Sequence, residues 1–322
     1  MKKPFGFLML LVATAFLGCD DGADDNGDTE TNEAPTVTLV GEIERDGVYA
    51  VEMTDGTDTL LFECTAENGG LITKLAMNGT DMLAVDAMEN GNGSTFWTAP
   101  QTDWNWPPPA FLNTDTLTPT VDTAEASITL TSAADDRLGI QVIKKFTPDL
   151  ERFAVVLEYT IVNTGDETVS YAPWEISRVL PGGVTFFPTG DEVNDVDMTP
   201  LPVSDIDGIS WLDHTAPMDS GDYKYSADGA DGWSAHAAGD MVFVKSFNDQ
   251  PASAKPPGQG EIQLYVKGGE FEEVEQIGAY QEIPVGGQIS WTVRWYLRRI
   301  PEDAAAATGD QPLVDFVDDL VQ

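Results

Sequence analysis

The chain has 322 residues, with 55 acidic against 16 basic side chains and a formal net charge of −39. That balance repels phosphate backbones and anionic lipid faces, so no nucleic-acid partner is expected, and it suits a surface bathed in salty water. Cys19 and Cys64 are the two cysteines, so no disulfide framework exists and the fold must rest on its core.

Met1–Gly18 reads as a secretory signal peptide. Lys2 and Lys3 form a charged start, and Phe5–Leu17 is an apolar run too short to span a bilayer. The run ends in Ala15–Cys19, which resembles a bacterial lipobox; Cys19 would then be lipidated and become the mature N-terminus. An ordinary signal peptide cut nearby is the alternative. Residues 19–35 are an acidic tether rich in Asp, Gly, Asn and Thr, unable to bury apolar surface. Together these features place the expected protein in the bacterial cell envelope, anchored in a lipid bilayer through Cys19.

Strand signals dominate from residue 36 onward. Short β-branched and aromatic runs occupy 36–40, 47–53, 59–64 and 71–77, separated by Asp-Gly and Gly-Gly turns, and Asn78-Gly79 predicts a hairpin into 82–85. Strands resume at 127–132 and 138–146. In 152–163 the residues Phe153, Val155, Leu157, Tyr159 and Ile161 alternate on one face. Further strands are predicted at 168–173, 241–247, 261–266 and 288–300, while 188–235 reads as a long loop-rich insertion. After Asp310 and Pro312, the spacing of Leu313, Val314, Phe316, Val317 and Leu320 predicts an amphipathic helix over 309–322. About fourteen strands without βαβ alternation predict an all-β fold of two packed sheets over 36–308, expected as a monomer.

The stretch Gly93–Pro109 stands apart. It holds Trp97, Trp104 and Trp106, three of the chain's 8 Trp, and ends in three prolines. Tandem prolines exclude both helix and regular sheet there, so a rigid non-repetitive segment is expected. Indole faces beside Gln101, Asp103 and Asn105 suit a sugar ring, whose C–H faces stack while its hydroxyls seek polar partners. A core-plugging loop is the alternative.

Four segments, Gly93–Pro109, Ala172–Arg178, Asp231–Trp233 and Phe271–Glu275, resemble an uncharacterised bacterial family of domains of unknown function. That family is itself similar in fold to galactose mutarotase and related aldose 1-epimerases, and the likeness covers roughly residues 45–300. It implies a large antiparallel β-supersandwich with a sugar-sized cleft on the concave face of one sheet; the short C-terminal helix predicted above is expected to pack on that sandwich. Mutarotases open a pyranose with a carboxylate base and a histidine acid. Val274-Glu275-Gln276 resembles the base segment, but the place of the histidine reads Pro173-Trp174-Glu175 here, and His214 and His236 sit in no matching motif.

The candidate catalytic residues are therefore Glu175 and Glu275, acting as acid and base in one cleft. Glu273 shares the face of Glu275 by period two. Trp97, Gln101, Asp103, Trp104, Trp106, Trp174 and Arg178 are the candidate sugar-binding residues, with Arg178 placed to grip a carboxylated sugar. Lys245, a polar break in an apolar strand, is expected to face solvent. No metal site or cofactor is expected; the acids at 191–197 and 228–232 lack calcium-loop spacing, though a loop calcium ion is the one candidate they offer. Three functions fit: a lipid-anchored carbohydrate binder, a carbohydrate-active enzyme (an epimerase or polysaccharide lyase) using Glu175 and Glu275, or a structural envelope protein.

Overall fold

In the computed structural model, residues 34–322 apart from 44, 46, 86–91 and 217 are described; the expected signal peptide, Cys19 and nearly all of the tether lie outside them. The apolar runs form antiparallel strands in two layers. One sheet runs, by hydrogen-bonded neighbours, through Thr36–Glu42, Val48–Thr54, Thr59–Thr65, Ile72–Met77, Ser94–Ala99, Val169–Val179, Phe271–Ile277, Ile262–Lys267 and Asp222–Gly229. The other runs through Thr118–Asp122, Ser127–Thr131, Ile140–Asp149, Ala154–Asn163, Gln288–Arg299, Met241–Phe247, Trp233–Ala238, Gly183–Val193, Ile209–Asp213 and Ser204–Ile206. Gly183–Val193 also pairs with Asp222–Gly229 and so joins the two.

Alternation decides what fills the space between the sheets. The odd-numbered face of Ala154–Asn163 predicted from sequence is the buried one, with Val155, Leu157, Tyr159 and Ile161 all interior. Phe62 meets Phe146 with ring centroids 5.0 Å apart, and Phe96 stacks on Tyr159 at 4.4 Å. Each such side chain, fully withdrawn from water, contributes about 1.5–3 kcal/mol. A smaller core lies on the far side of the second sheet, where Phe186, Trp211, Trp233 and Tyr296 pack beneath Leu313, Val314 and Val317. Those last three come from the C-terminal helix Gln311–Val321, started by Asp310, whose carboxylate accepts from the Leu313 N–H at 2.9 Å. That packing covers Tyr296, which is interior although it shares a strand face with Ser290, Thr292, Arg294 and Arg298.

Three sequence expectations need correction. Ser94–Ala99, the first part of the Trp/Pro stretch, is a strand buried on both faces; irregular backbone begins only at Pro100, with a single 3-10 turn at Gln101–Asp103 and cis peptide bonds at Ala99–Pro100 and Trp106–Pro107. Residues 188–235 are not a loop insertion but carry strands of both sheets, including Asp222–Gly229 and Trp233–Ala238. The strand predicted to end at 173 continues to Val179, which sets Glu175 in mid-strand rather than at a loop.

Candidate functional site

Register assigns each candidate side chain to a face, because directly paired residues of neighbouring strands point the same way. On the outer face of the first sheet, Trp97 pairs with Trp174, and Thr95 pairs with Ile176. Ile176 pairs with Glu275, which pairs with Gln263. Next along lies Arg178, paired with Glu273, then Tyr265, then Lys224. The result is a polar floor crossing adjacent strands with an indole wall at one edge.

The wall is a packed cluster. Trp97 sits at its centre, edge-on to Trp104 and Trp106 at 5.9 Å each and to Trp174 at 5.3 Å. The Trp104 indole donates to the Thr98 carbonyl at 2.8 Å, and Trp97 donates to Asn113 Oδ1 at 3.3 Å. Trp97, Trp104 and Trp174 are 5%, 6% and 3% exposed, whereas Trp106 is 70% exposed. The expectation of three free indole faces is thus corrected to one: Trp106 alone offers a platform, and the others brace it. Gln101 is tied through its backbone N–H to Gln259 Oε1 at 2.9 Å, while Asp103 stays exposed.

Glu275 is fully buried and accepts from Trp174 Nε1 at 2.9 Å and from Lys224 Nζ. Lys224 in turn lies over the Trp174 and Tyr265 rings. Arg178 donates to Glu273 Oε1 at 2.7 Å and rests against Trp97. Burial pushes the Glu273 carboxyl above the usual carboxylate range, with Arg178 opposing that shift and Glu275 adding to it. Arg178 is therefore already held by a carboxylate, which corrects its expected role as a free clamp for an acidic sugar.

Beside these pairs stand donors that nothing satisfies. Thr95 Oγ1, Arg178 Nε and Gln263 Nε2 are buried without a hydrogen-bond partner among the described residues. Leaving such a group dry costs about 1–3 kcal/mol each, and in native proteins it usually marks a water or ligand position. All three belong to the face of Glu275 by the register above.

Glu175 lies elsewhere. It pairs with Phe96 and Gln276 and so points between the sheets, away from Glu275. There it accepts from Tyr159 Oη at 2.7 Å and Trp295 Nε1 at 3.0 Å, and it is 3.0 Å from Lys245 Nζ. Lys245 also donates to the Val274 carbonyl and Gln276 Oε1, so it is buried rather than solvent-facing as expected. The Glu175/Glu275 acid–base pair in one cleft is thereby corrected: the two carboxylates occupy opposite faces of the sheet. The two histidines form a third buried group, in which His214 Nδ1 lies 3.1 Å from Glu272 Oε2, and Thr185 bridges Glu272 to His236 Nδ1.

Glu192 and Asp228 of the two acidic stretches are ion-paired to Lys255. Among the described residues no three His, Cys, Asp or Glu side chains gather to hold a metal ion. Sequence reading missed Thr95, Lys224, Gln263 and Tyr265. The alternation Gln263, Tyr265, Lys267 against Ile262, Leu264, Val266 was a usable sign of a polar face, but only strand order shows that it adjoins Glu275.

No curated protein matches the sequence. Solved structures similar in fold include the Slr1438 protein from Synechocystis sp. PCC 6803, at 12% identity over 82% of this chain and 99% of that one, TM-score 0.56. A galactose mutarotase-like protein from Lactobacillus casei follows at 11% identity over 77% and 100%, TM-score 0.55. A candidate aldose 1-epimerase from Escherichia coli K12 is 10% identical over 79% and 100%, TM-score 0.52. The architecture is thus the galactose-mutarotase-like β-sandwich that the sequence motifs implied. Residues 90–297, which carry the Trp wall and most of the polar floor, match the family model described as "Domain of unknown function (DUF4380)", and the chain belongs to that family.

Proposed function

We propose that this protein binds carbohydrate on the outer face of its first sheet, with Trp106 as the stacking platform and Thr95, Arg178, Gln263 and the Glu275–Lys224 pair as polar partners. The observation that carries this reading is the coincidence on one face of three unsatisfied buried donors and one exposed, braced indole. Hydroxyl-rich rings supply both the acceptors those donors lack and the C–H face an indole prefers. The mutarotase-like fold agrees with a sugar ligand. In the same proposal, the leader and Cys19 tether the protein to a bacterial envelope membrane, with the acidic segment as spacer.

A catalytic version rests on Glu273 and Glu275 rather than on Glu175. Their carboxyl groups share a face at i and i+2, Glu275 held by Trp174 and Lys224 and Glu273 by Arg178, with burial and the neighbouring Glu275 raising the Glu273 carboxyl. Titration calorimetry against a panel of neutral glycans tests the binding reading. Binding that weakens at least tenfold in Trp106→Ala supports it, and binding unchanged by that substitution refutes it. Polarimetry on freshly dissolved aldoses separates the catalytic version, which predicts accelerated mutarotation lost in Glu275→Gln.

A further inference from the structure

Resting on that carbohydrate reading, we infer that the ligand face is gated: residues 255–259 form a lid, shut in this structure, and a ligand enters when the lid parts from the Trp/Pro stretch. The polar row beneath is covered, with Thr95, Gln263 and Glu275 4%, 4% and 0% exposed. The lid lies in the connection from Met241–Phe247 in the second sheet to Ile262–Lys267 in the first. Its base is pinned, because the Gln250 N–H donates to Glu261 Oε1 at 2.8 Å and the Tyr280 N–H to the Ala254 carbonyl at 2.7 Å. The connection therefore leaves and re-enters the protein body at neighbouring points, in the manner of an Ω-loop. Its tip is the turn Pro256-Pro257-Gly258-Gln259, closed by the Gln259 N–H on the Pro256 carbonyl at 3.2 Å. Pro257 and Gly258, the latter at φ +76°, suit the two central positions of such a turn.

Its contacts place the lid on the side of the sheet that carries Glu275. The Gly260 N–H donates to Ser226 Oγ at 2.9 Å, and Ser226 pairs with Gln263, so both side chains share that face. Lys255 Nζ lies 3.6 Å from Asp228, which shares the same face of its strand by alternation, and 2.8 Å from Glu192. Gln259 Oε1 accepts from the Gln101 N–H at 2.9 Å. Gln101 follows the strand of Thr95, and Gly260 precedes the strand of Gln263. Between those two strands stand Val169–Val179 and Phe271–Ile277, which carry Ile176 and Glu275. The Gln101–Gln259 bond thus joins two segments across the strands of the site. Among the described residues, the polar contacts that hold the tip to other segments are this one neutral hydrogen bond and an ion pair whose Glu192 partner is exposed. Contacts of that kind break locally while the paired sheet beneath stays intact. Lifting the tip exposes the row without disturbing the Arg178–Glu273 or Lys224–Glu275 pairs.

The test reads access to the covered face with a neutral thiol reagent, iodoacetamide, on the full chain carrying Cys19→Ser and Thr95→Cys. Cys64, 0% exposed in the core, is the internal reference for unfolding. The thiol at position 95 should be labelled at least tenfold faster than Cys64. Adding Gln259→Ala should speed that labelling at least threefold and leave the Cys64 rate unchanged, and Lys255→Ala should act in the same direction. Should Thr95→Cys not fold, Gln263→Cys replaces it with the same expectations. Labelling no faster than Cys64, labelling that Gln259→Ala leaves unaltered, or acceleration shared equally by Cys64 overturns the lid. No sugar enters this test, so that failure leaves the carbohydrate reading standing. Calorimetry that finds no glycan bound removes that reading while leaving the lid. A glycan that does bind should associate at least threefold faster with Gln259→Ala, and an equal rate overturns the gating of the ligand.

Discussion

The molecule contains a similar constellation twice, once on each face of one sheet, and the two differ in what surrounds the carboxylate. Glu175 and Glu275 are each buried carboxylates bonded to an indole N–H and a lysine. Around Glu175 the carboxylate's own partners Tyr159, Trp295 and Lys245, with Gln276 beside them, are all bonded, while Thr98 Oγ1 and Trp291 Nε1 on the same face have no partner among the described residues. Around Glu275 three donors, on Thr95, Arg178 and Gln263, have no hydrogen-bond partner among the described residues. A saturated buried network fixes a core in one arrangement, whereas an unsaturated one next to an exposed aromatic is where a ligand completes the count. Residue type alone does not separate a structural glutamate from a functional one; the state of its neighbours does.

Removing the inner carboxylate should have the largest effect on stability. Glu175→Gln strands Lys245, buried with its positive form already disfavoured and favoured chiefly by Glu175, and should cost about 3–5 kcal/mol in urea unfolding. Glu275→Gln should cost only about 1–2 kcal/mol, since Lys224 retains access to water, while weakening glycan binding at least tenfold. Equal stability losses for the two would erase the distinction between the faces. Trp106→Ala should change stability by no more than about 0.5 kcal/mol, as expected for an exposed side chain, yet abolish measurable binding. A stability loss comparable to that of a core Trp would make Trp106 structural instead.

A smaller effect follows from the interior histidines. Burial holds the His236 imidazole below its usual range, so between that lowered value and about 6.5 the unfolded chain binds more protons than the folded one. Stability should therefore be fully present above pH 6.5 and decline as the pH falls through that window. His236→Gln should flatten the decline, and a slope unaltered by the substitution would assign it to other groups.

Sequence made some of this legible for identifiable reasons. The alternation of Phe153 to Ile161 was readable because one face of that strand is core and the other is not, and Glu273 shares the face of Glu275 by the same period. Ser94–Ala99 and Val169–Val179 defeated pattern reading because they are covered on both sides, leaving no polar alternation to mark a strand or say which way Glu175 points. The span 188–235 looked like loop because its strands are short and broken by Asp, Gly and Pro, and only pairing with distant partners holds them in the sheets. Thr95, Lys224 and Gln263 come together through pairings such as Thr95 with Ile176, Ile176 with Glu275 and Lys224 with Tyr265, between residues far apart in the chain, a relation no local spacing encodes.

The account's central claim is that the open network on the Glu275 face is the ligand site. A crystal structure with a neutral glycan bound tests it most directly. The account predicts sugar oxygens within hydrogen-bonding distance of Thr95 Oγ1, Arg178 Nε and Gln263 Nε2, with one ring stacked on Trp106. A sugar lodged instead in the cavities of about 190 and 220 Å³ along Gln288–Arg299, with the three donors bound to water alone, would contradict it.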